Sequence, residues 1–271
     1  MVKAIKQEWA DGRLRVEPRG EVLVVTVKRP EVRNALDVET MMALGDLVTE
    51  VAERPEFGVL VLAGYGDRAF ISGGDLVQLA SLKGEEGGMA LASIMGETLS
   101  ALEALPMVTV AAIGGDAFGG GVELALACDL RIMERASHLT LTQARFGLTT
   151  GWGGSVRLVR LVGYSRALDL LLTMRPLGAE EALQMGLVNR VVDDGAALEQ
   201  ALELAEQIAS LQPTVALGIK SVVQAASLDR TEDAILKERQ VFASLWASEH
   251  HERQVRAFLA RKRSPKATQG G

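Results

Sequence analysis

Ile113-Gly114-Gly115-Asp116-Ala117-Phe118-Gly119-Gly120-Gly121-Val122-Glu123-Leu124-Ala125-Leu126-Ala127-Cys128-Asp129 is the stretch on which the rest of the chain is organised. An apolar run over residues 108–113 delivers the backbone into a glycine-dense turn, and helix-forming residues leave it. Consecutive glycines cost unfolded-chain entropy, so they serve positive φ or a close approach of backbone to another group. A helix opening at residues 119–121 aims its free N–H groups and the positive end of its dipole at that group. Such a turn can hold an oxyanion. Glu123, in the first helical turn, sets a carboxylate beside the same place. The residues equally suit a plain strand-to-helix turn whose N-terminal Glu favours the dipole.

Working outward, residues 21–27 read as a buried strand stopped by Pro30. Asp37 caps a helix with Met41, Leu44, Leu47, Val48 and Val51 at helical spacing. Residues 57–63 are a second strand. Behind it, Gly64-Tyr65-Gly66-Asp67-Arg68-Ala69 matches the G-x-G-x-x-A dinucleotide fingerprint. That fingerprint needs a helix opening at its third position. The chain goes instead into Phe70-Ile71-Ser72-Gly73-Gly74-Asp75, another turn, which argues against nucleotide binding there. A short helix follows with Leu76, Leu79 and Leu82, so free N–H groups again face outward at its start.

Residues 83–88 are expected to form a mobile, charged break, with a helix over 89–105 and a third strand over 107–113. The repeated unit is strand, glycine turn, helix. The two turns converge if their strands are neighbours, because neighbouring parallel strands end on one edge. Residues 129–133, 138–142 and 187–192 read as further strands, and 156–162, 167–173 and 179–185 as helices. From residue 196 the pattern is helical, which divides a core over 1–195 from a helical region over 196–271. Its last stretch, 231–262, is amphipathic and needs a surface, either its own core or another subunit.

The 271 residues carry 48% hydrophobic and 24% charged side chains with a net charge of −6. That balance fits a globular chain and gives no reason to propose nucleic acid or a membrane surface as partner. No apolar run reaches the ~18 residues of a membrane span, and the first residues lack a secretory apolar segment. The expected location is the cytoplasm. The single cysteine, Cys128, excludes an internal disulfide and suits buried packing. His138, His250 and His251 lack metal-ligand spacing, so no metal is expected.

Taken together, the turns resemble the crotonase superfamily, also called the enoyl-CoA hydratase/isomerase family. The matching pieces are Arg29-Pro30 with Asn34-Ala35-Leu36, residues 69–76, residues 119–125, residues 153–158, residues 179–182 with Gly186-Leu187-Val188, and Phe258-Leu259. The resemblance implies an α/β, crotonase-like fold of repeated ββα units with a helical C-terminal trimerisation region. It implies a homotrimer or a dimer of trimers. It implies acyl-CoA substrates, with coenzyme A entering as part of the thioester and no separate cofactor. It assigns Gly74 and Gly120 as the two backbone donors to a thioester enolate and Glu123 as acid–base group. Arg33, Ala35 and Leu36 match the loop against coenzyme A, and Ser72, Gly73, Asp75 and Leu76 flank the first donor. Trp152 and Phe242 are candidate walls of the acyl site, and Arg261 a candidate partner for the 3′-phosphate.

One position departs from the pattern. Relatives that hydrate use a second glutamate twenty positions after the first, and here that position is Gln143. An amide hydrogen-bonds but does not exchange a proton near neutral pH. Three chemistries stay open: hydration with Glu123 alone, decarboxylation of a methylmalonyl- or ethylmalonyl-CoA-type thioester, and acyl-CoA binding without turnover.

Overall fold

The computed structural model describes residues 5–228, 231–246, 248–251 and 253. The chain opens with β1 (Glu8–Trp9), β2 (Leu14–Arg19), β3 (Val22–Val27), α1 (Val38–Ala52), β4 (Val59–Gly64) and β5 (Ala69–Ile71). It continues through α2 (Leu76–Leu79), α3 (Gly84–Glu103), β6 (Val108–Ile113), β7 (Asp116–Phe118), α4 (Gly120–Ala127), β8 (Leu130–Glu134) and β9 (His138–Thr140). Then come α5 (Gly154–Val162), α6 (Tyr164–Thr173), β10 (Leu177–Gly178), α7 (Ala179–Gln184), β11 (Arg190–Val192), α8 (Ala197–Ala209), α9 (Pro213–Leu228) and α10 (Thr231–Trp246).

Two sheets result. The larger has the order β1-β2-β3-β4-β6-β8-β11, antiparallel from β1 to β3 and parallel from β3 to β11. The smaller has the order β10-β9-β7-β5, with β5, β7 and β9 parallel. The central strands are apolar throughout because both faces are covered, as parallel strands require. Val22, Val24, Val59, Val61, Val110 and Ile132 pack against Ala201, Leu204 and Ala205 of α8 on one face. Leu23, Val25, Leu60 and Leu62 join the main core with Leu44, Leu47, Leu99 and Leu102 of α1 and α3 on the other.

The chain separates into two compact units between Ser210 and Leu211. α8 belongs with the first because its apolar face covers the sheet. In the second unit, α9 and α10 approach closely at Gly218, where a Cβ would sit 3.0 Å from Val241 and 3.1 Å from Leu245.

Among the described residues the expected strands, helices and glycine turns are present, with two corrections; the end of the stretch expected over 231–262, with Phe258 and Leu259, lies outside the described residues. Residues 84–88 are not a break: they form the first turn of α3, with Glu85 and Glu86 at the positive end of its dipole. The glycine turns do not follow the large sheet directly either. After β4 and β6 the chain crosses into the short strands β5 and β7, and the turns leave from these. Since β5 and β7 are parallel neighbours, their ends lie on one edge and bring residues 72–75 beside residues 119–121.

Candidate active site

Asp37 fixes the start of α1 by accepting the Thr40 N–H at 2.8 Å, and this places the loop before it. Leu36 in that loop forms an isolated parallel bridge to Gly74: its N–H donates to Gly73 O and its carbonyl accepts from the Asp75 N–H, both at 2.8 Å. A parallel bridge engages the residues on either side of the one it faces. The Gly74 N–H is therefore left without a hydrogen-bond partner among the described residues. The Gly120 N–H, first in α4, is likewise unpaired, as expected for a helix N-terminus. The two turns touch. A Cβ on Gly73 (φ +96°) would lie 2.9 Å from Phe118 O and 3.2 Å from Gly120 N, so only glycine fits between them.

Both N–H groups border a cavity of about 350 Å³. Ser72, Gly73, Gly74, Leu76, Gly120, Glu123, Gln143 and Trp152 all line it, which brings together most of the residues expected from sequence. Leu79, Leu91, Ala92, Phe146, Leu148 and Thr150 line it as well. Sequence reasoning missed these six; the apolar spacing of α2 and α3 was the available signal for Leu79, Leu91 and Ala92, and Phe146, Leu148 and Thr150, in the stretch before α5, carried none.

Glu123 is 2% exposed. Its Oε2 accepts the backbone N–H groups of Trp152 and Gly154, each at 2.9 Å, and its Oε1 accepts Gln143 Nε2 at 2.9 Å. Burial pushes the Glu123 carboxyl above the ordinary carboxylate range, while the bonds from Trp152, Gly154 and Gln143 pull part of the way back. Gln143 Oε1 is buried with no partner among the described residues. Arg157 of α5 holds the Trp152 turn from behind, donating to Trp152 O at 2.9 Å and pairing with Glu103 of α3.

Other expected site residues lie outside the lining. Asp75 is buried beneath the turn, 3.0 Å from Arg29. Leu36 is 0% exposed and acts there through its backbone; Ala35 is buried, and Arg33 is exposed in a left-handed conformation. Phe242 is on the exposed surface of α10 in the second unit, and Arg261 lies outside the described residues. Among the described residues no cluster of His, Cys, Asp and Glu could hold a metal ion, and no helix is long and apolar enough to cross a membrane.

Two unpaired backbone donors at the rim of an apolar cavity, with one buried carboxylate, can hold a developing oxyanion beside a proton-transfer group. A family model for enoyl-CoA hydratase/isomerase matches residues 17–269, and the chain belongs to that family. The chain is 30% identical over 248 residues to the short-chain-enoyl-CoA hydratase of Clostridium acetobutylicum, covering 92% of this chain and 95% of that one. It is 34% identical over 249 residues to the ethylmalonyl-CoA decarboxylase of Mus musculus, covering 90% and 77%. The crystal structure of enoyl-CoA hydratase from Bacillus anthracis superposes with a TM-score of 0.87 at 32% identity, covering 93% and 98%.

Proposed function

We propose that this enzyme hydrates an enoyl-CoA thioester, with the thioester oxygen on the Gly74 and Gly120 N–H groups and Glu123 as the one proton-transfer group. The observation that carries this reading is that Glu123 is the only carboxylate among the described residues lining the cavity. In the reaction, water oxygen bonds to the β-carbon as Glu123 takes one of its protons. The electron pair of the double bond moves onto the thioester oxygen, where the two donors hold it. Glu123 then returns the proton to the α-carbon, and one water has been added. Losing one such donor costs about 10²–10³ in rate. Gln143 orients Glu123 through its amide and transfers no proton.

A second reading, decarboxylation of a methylmalonyl- or ethylmalonyl-CoA-type thioester, is favoured by the same lining. No Lys or Arg is among the described lining residues, so none of these offers a cation to a substrate carboxylate placed there. Loss of CO₂ leaves the bonding pair on the enolate, and Glu123, entering protonated, supplies the α-proton. A self-association surface in the first unit is supported by the exposed apolar Val156, Val159, Leu168 and Leu172 of α5 and α6.

The test is parallel turnover of crotonyl-CoA and methylmalonyl-CoA by the wild type and Glu123→Gln. Hydration that falls about 10²–10⁴-fold in the variant supports the first reading. CO₂ release without hydration replaces it with the second. Thioester binding with neither activity refutes both.

A further inference from the structure

The lining of the cavity does not explain a charged cluster that the fold buries directly behind Gly74. Arg29, 8% exposed at the end of β3, reaches two carboxylates with one nitrogen: Asp75 Oδ2 at 3.0 Å and Asp37 Oδ2 at 3.1 Å. Its other terminal nitrogen donates to Ala35 O at 2.5 Å. Its backbone N–H donates to Asn34 Oδ1 at 3.0 Å. Asn34, 1% exposed, then donates from Nδ2 to Tyr65 O at 3.0 Å and Ala69 O at 2.8 Å. Arg13 meets Asp37 from the outer side at 3.0 Å.

Burying charge is costly unless every group is paired, so a chain that needed only a stable turn here would be served by apolar packing. What the cluster does specify is direction. Asp75 is the residue after Gly74, and it is held at three points: its N–H by Leu36 O, one carboxylate oxygen by Arg29, and the other by Gln78 N at 3.4 Å. On the other side, Gly73 O is held by the Leu36 N–H at 2.8 Å. The peptide plane carrying the Gly74 N–H therefore sits between two anchored residues. Both anchors run through residues 29–37, a loop whose Arg33 and Asn34 take left-handed backbone angles of +54° and +57° in φ. Gly73 in turn abuts Gly120 N.

We infer that Arg29 is a positioning residue that sets the direction of the Gly74 N–H, acting through Asp75 and the Leu36 bridge. It touches no substrate; it fixes one of the two donors of the oxyanion site. The inference rests on the reading of Gly74 and Gly120 as those donors.

The test uses Arg29→Lys and Asp75→Asn, both of which keep a hydrogen-bonding group in place, the second with a side chain that still caps α2. Steady-state kinetics on crotonyl-CoA are combined with difference absorbance of bound acetoacetyl-CoA, which ionises to its enolate where donors stabilise the oxygen. Near-ultraviolet circular dichroism reports the fold, which a merely structural role would change first. The expected result is a native fold, KM within about threefold of wild type, kcat lower by about 10²-fold in Arg29→Lys, and a weakened enolate band at saturation in both variants. Wild-type kcat and enolate band in a folded variant overturn the role of Arg29. A wild-type protein that binds acetoacetyl-CoA without enolate absorbance overturns the donor assignment itself, and the inference with it.

Discussion

Gln143 donates its Nε2–H to Glu123 Oε1 at 2.9 Å, while its own Oε1 is buried without a partner among the described residues. The pair is asymmetric. One member is an ionisable group raised by burial, and the other orients it without exchanging a proton. The remaining Glu123 oxygen is held by two backbone N–H groups, so the carboxylate has a fixed orientation towards the cavity.

Because burial raises the Glu123 carboxyl, the folded state favours its protonated form. The stability it contributes is full below the unfolded-state value and is lost as pH rises through the higher folded one. Glu123→Gln removes that loss, and its new amide can donate to Gln143 Oε1. The variant is expected to melt a few degrees above wild type at about neutral pH, the gap closing towards about pH 4. Melting curves across that range check it. Where Glu123 acts as base, the acid limb of kcat/KM falls at a pH above the ordinary carboxylate range.

The glycines after β7 have different neighbours, and alanine separates them. A Cβ on Gly121 would overlap the backbone carbonyl of Ile71, which cannot move away. A Cβ on Gly120 would instead fall on the ring of Trp152, a side chain. Gly121→Ala is expected not to fold. Gly120→Ala is expected to fold with a lowered melting temperature, and Trp152→Ala in the same chain to recover part of it. A double-mutant cycle should give about 1–3 kcal/mol of coupling; additive losses would refute the contact.

Much of this arrangement was legible in the sequence. Residues 22–27, 59–64 and 108–113 are apolar on both faces, which marks covered parallel strands, and Asp37 capped its helix as read. The strands β5 and β7 were not legible. Three residues next to glycines carry no period, and their pairing joins segments far apart in sequence. Arg29 was hidden for the same reason: its partner Asp75 is 46 positions away, and a charged residue at a strand end reads as exposed until the fold buries it. The relation of Gln143 to Glu123 came from the family resemblance alone, and the hydrogen bond between them was not read from the sequence.

Arg131 supports the site from the far end of α4. It is 3% exposed and donates to Leu187 O at 2.6 Å, Cys128 O at 2.5 Å and Ala125 O at 3.3 Å, the last two at the C-terminus of that helix. Arg131→Met takes a charged side-chain donor away from these carbonyls and leaves Ala125 O with the Cys128 N–H alone among the described residues. The expected cost is about 3 kcal/mol, seen in urea unfolding as a lower midpoint with unchanged slope. Arg131→Lys recovers only part of it, since an ammonium cannot span the carbonyls that the planar fork reaches.

Gln143→Glu puts a second carboxyl where the amide stands, about one hydrogen bond from Glu123. Two carboxylates at that separation do not both ionise, so the pair holds one proton and titrates as a unit. The site then has a base to take a proton from water and a neutral acid to deliver one to the α-carbon. Positioned general acid–base groups contribute about 10²–10⁴ in rate, so hydration of crotonyl-CoA is expected to rise at least about tenfold. A bell-shaped pH profile should accompany it. Gln143→Met, which has neither donor nor proton, should instead lower hydration by releasing Glu123 Oε1. If Gln143→Glu gains no hydration while decarboxylation of methylmalonyl-CoA persists in the parent protein, the amide is suited to a reaction that needs no base, and hydration is not this enzyme's chemistry.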